Sequence, residues 1–210
     1  KRQSDAFRHW VTEDGRSGYP AAAGRYHLYV SLACPWAHRT IIVRTLKGLT
    51  EVIGMTVVDP IRDDQGWAFH NGPGHSLDTT NGFHFLSEAY RATDPNYHGR
   101  VTVPVLWDTV TKRIVTNSDD DLMRIFNGEF NRFTTGRLDL YPAALRPQID
   151  EMNDFVYERV NDGVYRAGFA TSQQVYERAA RSVFVALDQL DTRLRDRRYL
   201  FGAQFVESDW

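Results

Sequence analysis

The feature that most constrains this chain is a change of pattern past its middle. From residue 26 to residue 128, short β-rich runs alternate with helical ones; from about 141 the strand pattern stops and only helical spacing remains. Tyr26–Leu32 reads as a strand. The Pro35 that follows it is suited to the first position of a helix, which runs from Ala37 to Leu46 with Gly48 just past its end. Val52–Val58 alternates into a second strand, and Phe85–Tyr90 gives one or two helical turns. Val101–Asp108 is a strand carrying Pro104, which has no N–H to donate and so requires an edge, a bulge or a cis turn. Lys112–Val115 returns as a hairpin, and Ser118 caps a helix that opens on Asp119-Asp120-Asp121 and stops at Asn127-Gly128. Beyond 141, Ala143–Asn161 and a second helix after Thr171-Ser172-Gln173-Gln174 carry apolar residues at steps of three and four.

Strands followed by helices alone predict an α/β unit and a separate all-α unit. The expected boundaries are a polar, turn-rich arm over 1–24, an α/β domain over 25–130, and the start of an all-helical domain over 141–210. The chain opens on Lys1 and closes on Glu207-Ser208-Asp209-Trp210, where Ser208 reads as the N-cap of a new helix, so further residues are expected beyond Trp210.

Composition enters through one number: there is a single cysteine in 210 residues. That excludes an intramolecular disulfide and any multi-cysteine metal cluster, and it favours a reducing compartment. A net charge of −2 gives no case for nucleic acid or an anionic membrane. No apolar run approaches the roughly 18 residues of a membrane span, so a cytoplasmic protein is expected. His70, His75 and His84 lie close in sequence, but in a Gly- and Asn-rich loop with no regular spacing to aim them, and no metal is expected.

Cys34 stands between a strand and a helix. There its sulfur is beside unsatisfied backbone N–H groups and the positive end of the helix dipole, which favour the thiolate. His38 and Arg39, one turn on, add positive charge. Ala37 occupies the place where a dithiol motif would have its second cysteine, so any disulfide must form with a small thiol from outside. Val103-Pro104, if cis, offers the backbone of Val103 to a peptide-like ligand, and Ser118-Asp119 offers helix-start N–H groups to a carboxylate and a side-chain carboxylate to an ammonium. Each feature also has a plain structural reading, as a core thiol, an edge proline and an N-cap.

Taken together, YHLYVSLACPWAHRT (26–40), Gly66-Trp67-Ala68-Phe69, DPNYHGRVTVPVLWD (94–108), ERVNDGVYRAGFATSQ (158–173) and RYLFGAQFVESDW (198–210) resemble the glutathionyl-hydroquinone reductases, the Xi class of the glutathione transferases, an Omega-like family. The resemblance implies a thioredoxin-like N-terminal domain and an all-α C-terminal domain of which part is absent. It implies a Cys-dependent enzyme that reduces S-glutathionyl-hydroquinones with glutathione as co-substrate, and a homodimer. By the same resemblance Cys34 is the nucleophile, Trp67 packs on glutathione, Arg100 contacts a carboxylate or backbone, Val103 and Pro104 receive the cysteinyl part, Ser118 and Asp119 hold the γ-glutamyl end, and Tyr165 hydrogen-bonds the hydroquinone.

The chain departs from the family where Asn-Glu-Ser-Ser-Glu is replaced by Asn117-Ser118-Asp119-Asp120-Asp121. The hydroxyl and carboxylate are swapped, and three adjacent acids repel a ligand carboxylate. A different low-molecular-weight thiol is therefore the alternative co-substrate, and a non-catalytic thiol-binding or regulatory protein is the alternative function. A hydroxyl-dependent conjugating transferase is disfavoured, because Cys34 occupies the place of its activating hydroxyl.

Overall fold

A computed structural model describes residues 5–134, 136 and 138–210. The chain divides into two compact units, Lys1–Leu138 and Asp139–Trp210.

The first unit is built on a four-stranded sheet. Its strands are β1 (Tyr26–Val30), β2 (Gly54–Val57), β3 (Val105–Asp108) and β4 (Arg113–Thr116), in the order β2-β1-β3-β4. β1 and β2 are parallel; β3 runs antiparallel to both β1 and β4. The helices are α1 (Pro35–Leu46), α2 (Leu86–Thr93) and α3 (Asp119–Gly128), giving the thioredoxin-like order of a βαβ half followed by a ββα half. Central β1 and β3 are apolar on both faces, with Leu28, Tyr29, Val30, Val105, Leu106 and Trp107 almost wholly buried, as expected of strands covered on both sides.

The elements are close to those read from the sequence, with shifts at their ends. β1 stops at Val30, two residues early, because Ser31–Ala33 turn the chain toward Cys34; Ser31 O accepts from the Cys34 N–H at 3.1 Å. α2 runs on to Thr93, secured at its start by Glu88, whose carboxylate accepts from the His84 and Phe85 N–H groups at 2.8 Å each. α3 continues through Gly128 instead of stopping before it.

The polar arm docks as a further edge beside β4. The Phe7 N–H donates to Asn117 Oδ1 and the Phe7 carbonyl accepts from the Asn117 N–H, at 2.9 and 3.2 Å. His9 N–H donates to Val115 O at 3.0 Å, and Arg8 forks onto Asp121. Trp10 Nε1 and the Glu13 N–H both donate to the Glu129 carboxylate. A free strand edge is a template for pairing with other chains, and the arm covers this one.

Gly54 shows how tightly β2 is registered. It pairs with His27, and a Cβ built on it would lie 2.5 Å from His27 Nδ1. The ring cannot easily give way: Nε2 is 2.7 Å from Thr56 Oγ1 and Nδ1 is 3.2 Å from Thr80 Oγ1. Gly54→Ala is expected to cost about 1–3 kcal/mol, the usual overpacking penalty. A urea titration should show a lower midpoint at unchanged slope, and an unchanged midpoint would show that the ring moves aside freely.

The second unit is helical. α4 (Arg146–Val156) passes through one wide π turn, Tyr157–Asn161, into α5 (Gly163–Gly168), and α6 spans Gln173–Leu194 with Ser172 as its cap. α5 and α6 approach closely at Gly163, where a Cβ would lie 2.9 Å from Val183 Cγ2. Residues Glu207–Asp209 form a 3-10 turn that includes Ser208. Ser208 Oγ donates to Asn153 Oδ1 at 2.6 Å, and Asn153 Nδ2 donates to Glu207 Oε1 at 2.9 Å, which fastens the turn to α4. Among the described residues no helix is long and apolar enough to cross a membrane.

Candidate active site

Cys34 is the N-cap of α1. Its backbone is extended (φ −103°, ψ 112°), Pro35 takes the first helical position, and the His38 N–H donates back to Cys34 O at 3.1 Å. The side chain offers no cap hydrogen bond to the helix, so the sulfur is left to face elsewhere. It is half-buried and lies 3.8 Å from Val103 O. A thiol at a helix start meets the positive end of the dipole.

Val103 and Pro104 reach the sulfur from the other half of the sheet, just before β3, and the peptide bond between them is cis. Val103 is 6% exposed. The preceding loop is fixed by Tyr90 of α2, whose hydroxyl donates to Thr102 O at 2.9 Å and accepts from the Thr102 N–H at 3.2 Å. Burial pushes the Tyr90 phenol up, with Thr102 opposing, so it stays a neutral hydroxyl that can do both.

Ser118 and Asp119 open α3, both buried. Ser118 Oγ accepts from the Asp121 N–H at 3.4 Å, so the capping bond expected from the sequence is present. The reciprocal half is not, because the Asp121 carboxylate pairs with Arg8 instead. Asp119 Oδ2 accepts from Arg39 Nη1 at 2.8 Å, and the same nitrogen lies 3.0 Å from Asp120 Oδ1. The Arg39 guanidinium thus pairs with the start of α3.

Trp67 is half-buried in the loop before α2, anchored by its carbonyl, which accepts from the Leu86 N–H at 2.9 Å; the Arg62 guanidinium sits 5.3 Å above its ring. Arg100 is exposed in the loop leading to Val103, and its carbonyl accepts from the Tyr97 hydroxyl at 2.8 Å. Thus Cys34, Val103 and Pro104 are brought together directly, Ser118 and Asp119 are tied to the cysteine's helix through Arg39, and Trp67 and Arg100 occupy separate loops. Tyr165 belongs to the second unit; it lies on α5, 36% exposed, with its ring stacked on Phe169 at 6.2 Å. Of the three histidines, His75 bonds His70 O at 2.7 Å through Nδ1, and His70 Nδ1 lies 3.5 Å from Asp59.

Residues 33–122 match the family described as "Glutathione S-transferase, N-terminal domain". Over 216 aligned residues the chain is 47% identical to "Glutathionyl-hydroquinone reductase YqjG" of Escherichia coli (strain K12), covering 100% of this chain and 66% of that one. The solved glutathione-bound structure of YqjG superposes with a TM-score of 0.94 at 48% identity, over 97% of this chain and 68% of that one. The glutathione-S-transferase Xi structure from Phanerochaete chrysosporium gives 0.95 at 45% identity, over 99% and 71%.

The chain belongs to the glutathione transferase family, in its Xi class. It spans just under two thirds of the length of the E. coli relative. In this Xi-class chain, two contacts had no signal in the sequence. Arg39 and Asp119 are 80 residues apart, as are no two positions that local patterning links. Arg62 over Trp67 joins two loop residues with no periodicity between them. What local reading does supply for Arg39 is its place: five positions after Cys34, on the same helix.

Proposed function

We propose that the protein reduces S-glutathionyl-hydroquinones with glutathione through a mixed disulfide on Cys34. The Cys34 thiolate attacks the sulfur of the glutathionyl substituent. The carbon–sulfur bond breaks and its electron pair goes to the ring carbon, which takes a proton and leaves as the free hydroquinone; the cysteine sulfur is oxidised to the mixed disulfide. A second glutathione thiolate then attacks that disulfide, releasing oxidised glutathione and restoring the Cys34 thiolate. One cysteine suffices, because the second thiol arrives from solution.

The observation that carries this reading is the pairing of the half-buried Cys34 sulfur at the α1 start with Val103 O at 3.8 Å. A peptide thiol laid along Val103 would hold its own sulfur against that of Cys34. In this reading Trp67 packs on the tripeptide, Arg100 meets a carboxylate, Ser118 and Asp119 receive the γ-glutamyl end, and Tyr165 donates to a hydroquinone oxygen. The names of the relatives and the glutathione bound to YqjG support the same chemistry.

The test follows an S-glutathionyl-hydroquinone and glutathione by chromatography. Oxidised glutathione and free hydroquinone are expected to appear in equal amounts. With the second thiol withheld, mass spectrometry should find one glutathione per chain on the Cys34 peptide. Saturation by another low-molecular-weight thiol, with none by glutathione, would transfer the co-substrate role to that thiol; binding with no turnover by any thiol would leave a binding protein.

A further inference from the structure

We propose that Arg39 is a specificity-setting positioning residue of the thiol site: by pairing with Asp119 and Asp120, it lets the start of α3 receive a ligand carboxylate beside three acids. The inference rests on the glutathione reading above.

Asp119, Asp120 and Asp121 fill the first turn of α3. Acids suit a helix start when they face its dipole, but three of them outweigh its partial positive charge and repel an incoming carboxylate. Two arginines offset them from opposite sides. Arg8, on the arm, forks onto Asp121 at 2.8 and 2.5 Å. Arg39, on α1, meets Asp119 and Asp120 with one nitrogen, at 2.8 and 3.0 Å. The burial of the two pairs is unequal. The side chains of Arg8 and Asp120 are 59% and 58% exposed, whereas those of Arg39 and Asp119 are 14% and 3% exposed. Water therefore screens Arg8 and Asp120 in part, while the Arg39–Asp119 contact acts through low-dielectric protein next to Ser118.

Arg39 also fixes position. It stands one turn and a half from Cys34 on α1, so its ion pair ties the helix bearing the nucleophile to the helix that receives the γ-glutamyl end. In a ligand held at both places, the distance from carboxylate to sulfur is set by that tie.

The test measures binding of S-methylglutathione, which cannot react, by calorimetry, together with steady-state KM and kcat for glutathione, all in the full chain. Arg39→Gln is expected to weaken S-methylglutathione and raise KM at least about tenfold, with kcat within about threefold. Adding Asp120→Asn to it removes one of the two acids that Arg39 pairs and should recover at least about threefold of each loss. Arg39→Lys should stay within about threefold of the starting chain. Unchanged binding in Arg39→Gln, or no recovery with Asp120→Asn, overturns the inference. If Arg39→Gln does not fold, Asp120→Asn alone decides: tighter S-methylglutathione supports the electrostatic role, and equal or weaker binding overturns it. If the unsubstituted chain binds no S-methylglutathione, the glutathione reading itself fails, and this inference with it.

Discussion

Cys34→Ser is expected to lower glutathionyl-hydroquinone reduction by at least about 10³-fold, or about 4 kcal/mol of transition-state stabilisation. The reason is chemical. A serine at the N-cap of α1 keeps the helix start, and serine is itself a favoured capping residue, so the fold should not suffer. What disappears is the sulfur that must carry the mixed disulfide, and an alkoxide at neutral pH cannot replace a thiolate. Binding of S-methylglutathione should persist within a few fold, because Val103, Trp67 and the α3 start are untouched. The informative pattern is thus lost turnover with retained binding and an unchanged melting temperature. Retained turnover would remove Cys34 from the mechanism.

The largest expected effect on stability lies at the turn from β3 to β4. Asp108 is completely buried, and its carboxylate accepts from Arg25 Nε and Nη2 at 2.9 and 2.7 Å, from Thr111 Oγ1 at 2.8 Å and from the Val110 N–H at 3.1 Å. Asp108→Ala would strand a mostly buried guanidinium and two turn donors, and is expected to cost about 3–5 kcal/mol. That is a large part of the stability of an ordinary domain. Burial alone pushes the carboxyl of Asp108 up; the Arg25, Thr111 and Val110 hydrogen bonds outweigh it and hold the group below the ordinary carboxylate range. A depressed carboxylate stabilises the fold fully above its unfolded value, near ~3.9, and loses that contribution as pH falls below it. Urea midpoints should therefore separate the two chains widely at neutral pH and converge toward pH 3. A constant gap across that range would show that the loss is one of packing alone.

Much of the candidate site is local in sequence, and that much is legible there. A strand, then Cys-Pro, then a helix places the sulfur at a helix start before any coordinates exist, and the capping role of Ser118 follows from its neighbours. Val103-Pro104 belongs to the same class, since proline limits its own options. The rest depends on partners distant along the chain. Nothing near Arg39 indicates that it turns toward Asp119, and nothing near Phe7 indicates Asn117, 110 residues on. α5 escaped for another reason. It has six residues, opens on Gly163 and has little apolar period, so tertiary packing against Val183 stabilises a segment whose own propensity is weak. The stripe on α6 was half informative: Val183 and Ala186 are buried, whereas Val175 and Leu194, in register with them, are 45% and 40% exposed.

The docked arm has a consequence for the time course of folding. Phe7, Arg8 and Trp10 are made well before their partners Asn117, Asp121 and Glu129, which lie 110 to 119 residues later. Closing a loop of that length early would forfeit chain entropy before any sheet contact repaid it. The arm must therefore wait, unpaired, until the ribosome has delivered α3, and then close over the β4 edge as one of the last acts of assembly. During that interval β4 offers its main-chain groups to any neighbouring chain. Residues made well before the sheet thus finish it, and an interval of exposure is part of how this fold is made.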